Sequence, residues 1–300
     1  MLSDGWSAPR MLLELFTHYA SRVRGSAPSA LPAPVPFASY LRWRAERDHD
    51  ADARAWAAEL DGLPEGDHLA TAGGVLTARE FPQPVLFEVP AELVTALTSA
   101  GAARGLTAST LLQGAWATVL AARSGRADVC FGTMVAGRAA GVDGVEEIVG
   151  LLANAVPVRA RFTGTAGQAL ADLQARQQGM ADHQHVALPD LERLLGHRRL
   201  FDSLVVFENY PADPERLRHP APGLTVTGTR FREATHHPVT LTVVPDGDGW
   251  AGVLGYRPEA ITAADARALS RELLGALAGL AGGLDSDAAG FVGQLRSNDG

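Results

Sequence analysis

The sequence predicts an α/β protein: a mixed β-sheet with helices packed on it. Two patterns predict this. From Val85 onward, short runs of strand character alternate with longer segments of helical period, and late in the chain two strand-like runs flank Asp246-Gly247-Asp248-Gly249, a hairpin signal. Composition agrees, because 46% hydrophobic residues and a net charge of −8 over 300 residues describe a packed globular chain. At this length a single core is near its upper limit, so two lobes are expected.

The elements follow in order. Ser7 reads as an N-cap, and Met11, Leu12, Leu15, Phe16 and Tyr19 recur at helical spacing up to Gly25. Gly25 to Pro36 holds four prolines and reads as a connector. Residues 37–61 are expected to be helical, anchored by Tyr40, Trp43, Trp56 and Leu60, until Gly62 and Pro64 stop the chain; loop follows to Gly74. Val85 to Val89 is a strand, Ala91 to Ala103 a helix, and Thr107 opens a longer helix to Arg123 with Leu111, Leu112, Ala115, Trp116, Val119 and Leu120 on its apolar face, stopped by Gly125. Strands are expected at 129–135 and 156–162, a short helix at 145–152, and a helix at 166–181. Ser203 to Glu208 is β-rich, 239–244 and 250–256 form the hairpin, and Thr262 caps a final helix.

Composition excludes several chemistries. The 26 basic residues are all arginine, so Schiff-base catalysis and a P-loop are out. The single cysteine, Cys130, cannot build a disulfide framework or a multi-cysteine metal site. No basic stripe interleaved with aromatics suggests nucleic acid. The most apolar segment, Leu273 to Leu284, is too short and Gly-rich to span a bilayer, and no leader pattern opens the chain, so a cytoplasmic protein without membrane or nucleic-acid partners is expected.

Among the nine histidines, His236-His237 stands before Pro238 and the alternating Val239-Thr240-Leu241-Thr242. Only one of two neighbours on a strand faces a given side, so the pair reads as a strand edge with one ring solvated rather than as a catalytic base. His183 and His185 flank Gln184 and could share a face, but no third ligand stands at a recognised spacing, and a structural loop is the preferred reading over a metal site. Gly137, Gly141 and Gly144 surround Arg138 with spacing wrong for a dinucleotide fingerprint, although an arginine at a strand end could hold a carboxylate bidentately. A G-x-S-x-G elbow is absent, which leaves hydrolase chemistry unsupported.

Several segments, in order, resemble the condensation domain of nonribosomal peptide synthetases. Asp4-Gly5-Trp6-Ser7 is similar to the second half of its HHxxxDG signature with the usual continuation, and Phe37 to Trp43 resembles YxDYAxW with Ser39 in place of the acid. Ala55-Trp56 and Leu60 to Pro64 resemble the continuation that follows. Gly132 to Arg138, then Val149 to Arg159, resemble the stretch before and through VGxFxNTxPVR. His183-Gln184-His185-Val186 with Leu188 and Pro189 is similar to a later HQ motif, and Leu200 to Pro211, ending Glu208-Asn209-Tyr210-Pro211, to the last one.

The resemblance implies a chloramphenicol acetyltransferase-like fold of two lobes with a tunnel between them, entered from opposite sides by the phosphopantetheine arms of donor and acceptor carrier proteins; no cofactor is bound directly. It implies an acyltransferase that joins a donor thioester and an acceptor amine as an amide, with the second histidine of HHxxxDG positioning or deprotonating the amine. The aspartate of that motif is structural and paired with an arginine, here Asp4 with Arg138, beside Gly5. Trp6, Asn154, Ser203 and His237 would line the tunnel. Aligned in this way, Met1, Leu2 and Ser3 fill the variable positions, so both histidines would precede Met1 and no catalytic histidine is present. His236 cannot replace them, because Leu241 stands five positions later.

Residues 1–65 then read as a remnant of the N-terminal lobe and 66–300 as the C-terminal lobe. The chain is expected to be inactive alone and to start at an internal methionine of a longer domain; a separate subunit docking onto the other lobe is the competing explanation. Partners would be the carrier proteins and a neighbouring adenylation domain or the N-terminal lobe. A non-catalytic lobe that binds carrier proteins or docks a partner is the alternative function. An epimerisation domain is a lesser one, because the Asp-Gly-Trp-Ser and Phe-Glu-Asn-Tyr-Pro runs favour ordinary condensation.

Overall fold

The computed structural model describes residues 3–27, 31, 33–64, 69–70, 81–138, 141–194, 196, 199–208, 218–221, 223–228 and 235–297. Asn209, Tyr210 and Pro211 of the last resembling segment, and most of the loop expected up to Gly74, lie outside them. The chain forms two compact units that interleave in sequence: Met1–His49 with Val135–Asn154 and Tyr210–Arg232, and Asp50–Met134 with Ala155–Asn209 and Glu233–Gly300.

The larger unit is built on six strands: β1 (Gln83–Val89), β2 (Asp128–Val135), β3 (Asn154–Arg161), β4 (Ser203–Phe207), β5 (Val239–Asp246) and β6 (Gly249–Tyr256). Their order is β1-β6-β5-β4-β2-β3, with β2–β4 and β4–β5 parallel and β1–β6 and β5–β6 antiparallel, so the sheet is mixed as expected. Asp246 pairs with Gly249, leaving Gly247-Asp248 as a two-residue loop; Gly247 takes φ +56, the left-handed conformation that a II′ turn demands at its first central position.

The helices begin where side-chain oxygens can hold their free N–H groups. Thr107 accepts from Thr110 N–H to open α5 (Ala108–Ser124), and Thr165 forms a capping box with Gln168 at the head of α6 (Ala166–Gly179). After α7 (Leu188–Leu194), Thr262 accepts from the Asp265 N–H to open α8 (Ala263–Gly283). That helix is not the last, because α9 (Ala288–Ser297) follows it. The core gathers α4 (Ala91–Ala102), α5, α6, α8 and α9 with the sheet, around Leu97, Trp116, Phe131, Leu241, Leu254 and Leu273. Among the described residues no helix is long and apolar enough to cross a membrane.

The segment expected as one helix over 37–61 is two, α2 (Phe37–Ala45) and α3 (His49–Leu60). The end of α3 is held by Arg159 of β3, buried at 4% exposure. Its guanidinium donates to both Asp128 carboxylate oxygens (2.8 and 2.7 Å) and to the carbonyls of Glu59, Asp61 and Gly62 (3.3, 2.7 and 3.1 Å). A cation over the last carbonyls of a helix also complements its dipole, and the hydrogen bond to Asp128 holds the Arg159 pKa above its ordinary value.

The smaller unit contains α1 (Ser7–Val23), α2 and a 3₁₀ turn at Val145–Glu147. Its apolar centre is Tyr40, Val145, Ile148 and Leu152 with Phe37 and Trp43 packed on it, and the rings of Phe37, Tyr40 and Trp43 stack in sequence at 5.8 and 5.7 Å. One expectation differs here: the helix foreseen over 145–152 is only that 3₁₀ turn. α1, helical as expected, points most of its large apolar side chains outward.

Candidate active-site corner

Within the smaller unit, Asp4 sits in the turn before α1 with its side chain 2% exposed, against the 3%-exposed side chain of Arg138. Arg138 Nη1 donates to Asp4 Oδ2 (2.8 Å) and Nη2 to Oδ1 (3.1 Å), a fork-to-fork pair. The same carboxylate accepts further bonds: Oδ1 from the Ser7 N–H (3.0 Å) and hydroxyl (2.7 Å), Oδ2 from the N–H groups of Leu152 and Ala153 (3.0 and 3.1 Å). Asp4 therefore caps α1, the role the sequence suggested for Ser7, while Ser7 accepts from Gly150 N–H (3.1 Å).

The other face of the fork is also tied down. Arg138 donates to the carbonyls of Ala136 and Ile148 (3.0 and 3.2 Å), and its guanidinium lies 5.3 Å from the Trp6 ring centroid, in cation–π range. The Trp6 indole N–H donates to the Glu146 carbonyl (3.0 Å). Gly137 makes the bend: its φ is +65, and a Cβ there would lie 2.0 Å from the Leu152 carbonyl oxygen. Burial raises the Asp4 pKa, but the hydrogen bonds from Arg138, Leu152, Ser7 and Ala153 outweigh it and leave it lowered to about 2. A carboxylate so acidic, with both oxygens saturated by donors, is no proton acceptor at neutral pH; it is a fastener.

Of the residues singled out in the sequence, Asp4, Gly5, Trp6 and Arg138 come together here, with Asn154, at the start of β3, the residue next to Ala153, whose amide Asp4 holds. Ser203 and His237 belong to the larger unit. Ser203 is buried at the start of β4, where its Oγ accepts from the Trp116 indole N–H (3.1 Å). His237 stacks on Phe201 (centroids 5.2 Å, interplanar 26°) while His236 is exposed, the one-in, one-out arrangement expected of strand neighbours.

Burial, then the charges of Arg199 and His236, lower the His237 pKa from 6.5 to about 4. Because the unfolded imidazole binds a proton that the folded one refuses, stability is expected to fall as the pH drops from 6.5 towards 4. Urea unfolding at pH 7 and pH 5 checks this: His237→Leu removes that part of the acid sensitivity, and an unchanged difference between the two pH values refutes the assignment.

His183 and His185 also find partners that sequence reasoning missed. Their ring N–H groups converge on buried Asp52 of α3, His183 Nδ1 on Oδ1 (2.7 Å) and His185 Nε2 on Oδ2 (2.8 Å), and the Trp56 indole N–H donates to the His183 carbonyl (2.9 Å). Asp52 carried no sequence signal, being one of several acids in a predicted helix with partners more than a hundred residues away. Among the described residues no group of three His, Cys, Asp or Glu is arranged to hold a metal.

The larger unit, a mixed sheet of this order with helices packed on it, has a chloramphenicol acetyltransferase-like fold. The chain belongs to the condensation domain family, whose model matches residues 1–288. Chondramide synthase cmdD of Chondromyces crocatus is 36% identical over 250 residues, covering 82% of this chain and 6% of that protein. Surfactin synthase subunit 3 of Bacillus subtilis (strain 168) is 29% identical over 280 residues, covering 92% and 22%. The chain thus spans only a small share of these curated relatives. In fold it is similar to the first condensation domain of the calcium-dependent antibiotic synthetase in complex with substrate analogue 3a (TM-score 0.78, 20% identity, 96% of this chain and 63% of that one) and to the X-domain from teicoplanin biosynthesis in complex with OxyB (TM-score 0.74, 21% identity, 96% and 67%).

Proposed function

We propose that this chain supplies the Asp–Arg corner and the C-terminal lobe of a nonribosomal peptide synthetase condensation domain, divided near residue 65 from a remnant of the first lobe. In that reaction the acceptor amine attacks the donor thioester carbonyl; the C–N bond forms, the C–S bond breaks, and the amine's proton leaves with the released thiol. Donor and acceptor arrive on the phosphopantetheine arms of carrier proteins in the cytoplasm. The observation that carries the reading is the bidentate, buried Asp4–Arg138 pair, which stands where the family signature asks for a structural aspartate. Asp4 and Arg138 fix the turn through Gly5 from which the signature's histidines would project, and neither touches the reacting atoms. Trp6, Asn154 and His237 are each assigned to the tunnel wall; Ser203, also expected there, is fully buried with its hydroxyl on the Trp116 indole N–H and is not.

Among residues 1–300 no histidine stands in the signature's relation to Asp4, so these 300 residues tested by themselves are expected to turn nothing over. Mass spectrometry of the acceptor carrier protein, after mixing with an aminoacyl-loaded donor carrier, checks this. Amide product above the enzyme-free background overturns the assignment of catalysis to the motif histidines. A second reading, a lobe that binds partners without catalysis, draws support from the fold likeness to the X-domain solved with OxyB. Under it, loaded carrier proteins bind this chain but are not joined when the histidine-bearing lobe is added.

A further inference from the structure

Arg257 follows β6 and is 1% exposed, one of the largest side chains the fold buries completely. Taking a guanidinium out of water is costly, and the cost is offset only where its donors are used. Arg257 uses them on one turn. Its Nε and Nη2 both donate to the Thr235 carbonyl (3.2 and 2.5 Å), and its backbone N–H donates to the Pro238 carbonyl (2.9 Å), so it grips the segment 235–238 at both ends. Nη1 reaches Glu259 Oε1 at 3.4 Å.

That turn carries His236 and His237. Its interior is held more loosely than its ends: the His237 N–H reaches the Thr235 hydroxyl at 3.4 Å, and that hydroxyl shares a 2.7 Å hydrogen bond with Thr240 Oγ1. The direction in which the His237 ring leaves the backbone therefore depends on where Thr235 and Pro238 are pinned. With both pinned, the ring lies on Phe201, centroids 5.2 Å apart. Burial keeps a ring so held neutral at pH 7, and the charged and titratable groups that act on it, Arg199 and His236, push the same way. A neutral imidazole offers one N–H donor and one acceptor lone pair, with no charge to repel or attract a substrate.

We propose that Arg257 is the positioning residue for the His237 imidazole: by clamping the 235–238 turn it holds the ring on Phe201 as a fixed hydrogen-bond donor for the carbonyl oxygen of a thioester substrate. The use of the ring rests on the condensation reading above; the clamp does not. The test is an NMR titration of the full chain, isotope-labelled at its histidine rings, with the His237 resonance identified by its loss in His237→Gln. In the wild type this ring titrates near pH 4 and carries the upfield shift of a ring stacked on Phe201. Arg257→Lys keeps the positive charge but replaces two converging donors by one, so a change it makes reads position rather than charge. It is expected to raise the His237 midpoint by roughly one pH unit and to lose part of the upfield shift, and Arg257→Met to do both to a larger extent. Thr235→Val removes the hydroxyl but keeps the carbonyl that Arg257 grips, and is expected to leave both readouts at their wild-type values. A folded Arg257→Lys chain in which His237 keeps its midpoint and its upfield shift overturns the proposal, whatever its melting temperature. So does a Thr235→Val chain that releases the ring as fully as Arg257→Lys. An aminoacyl N-acetylcysteamine thioester, added at pH 7, tests the use of the ring: it is expected to move the His237 resonance in the wild type and to move it less in Arg257→Lys. Arg257 variants that shift the ring, with a wild-type resonance that the thioester leaves unmoved, keep the clamp and remove His237 from the tunnel wall.

Discussion

Arg138→Met is expected to cost about 3–5 kcal/mol of stability at pH 7, the penalty for leaving a buried carboxylate without its cation. Asp4 accepts two bonds from the guanidinium, and removing them leaves the charge with neutral donors only, from Ser7, Leu152 and Ala153. Asp4→Asn strands the opposite charge and is expected to cost a comparable amount, whereas the double variant costs less than the sum, because each single change removes the same contact. Thermal unfolding measures the totals, and hydrogen exchange at the Leu152 and Ala153 amides locates them. Acid supplies an independent check. The folded pKa of about 2 lies below the unfolded 3.8, so this contribution, about 2 kcal/mol, is present above pH 3.8 and lost as the pH falls towards 2. The deficit of Arg138→Met must shrink across that window; a deficit under 1 kcal/mol at pH 7, or one that grows in acid, contradicts the corner as described.

The same corner shows why some of the fold was legible in the sequence and some was not. Thr107, Thr165 and Thr262 announce α5, α6 and α8 because a cap is local: the side chain that accepts the orphan N–H stands within three residues of it. The segment 145–152 has a helical pattern, but its continuation is taken by a long-range partner. The Leu152 and Ala153 N–H groups, which a helix would have pointed back along its own chain, donate to Asp4, and the Ile148 carbonyl accepts from Arg138. Nothing within 145–152 reveals that competition. The Asp4–Arg138 pair itself became legible only through resemblance, since a lone aspartate and an arginine after a strand carry no pattern. α1 is a third case: periodicity identifies an apolar face, but whether that face is covered depends on what lies against it. Asp52 and Arg159 are a fourth, where one charged residue organises a site through contacts its neighbours in sequence do not foretell.

Trp116→Ala is the second large effect, about 3–5 kcal/mol, the range for deleting a fully buried aromatic. Trp116 lies on α5, whose central residues Thr110 to Ala121 are buried throughout, and its ring fills the space between the helix and the start of β4. Trp116→Phe separates volume from hydrogen bonding. It keeps most of the apolar bulk but leaves the Ser203 hydroxyl without its indole donor, a loss of about 1–2 kcal/mol. The two changes differ in reach as well as size. Ser203 pairs with Val239 in the β4–β5 register, Ser203 two residues from Phe201 and Val239 two from His237, so loosening that register loosens the ring stack and lets water reach the imidazole that burial keeps neutral. In Trp116→Ala the His237 pKa is therefore expected to climb from about 4 back towards 6.5, read by the titration of its ring resonances. A Trp116→Ala chain that loses stability while His237 still titrates near 4 would mean that α5 supports the sheet without setting the position of that imidazole.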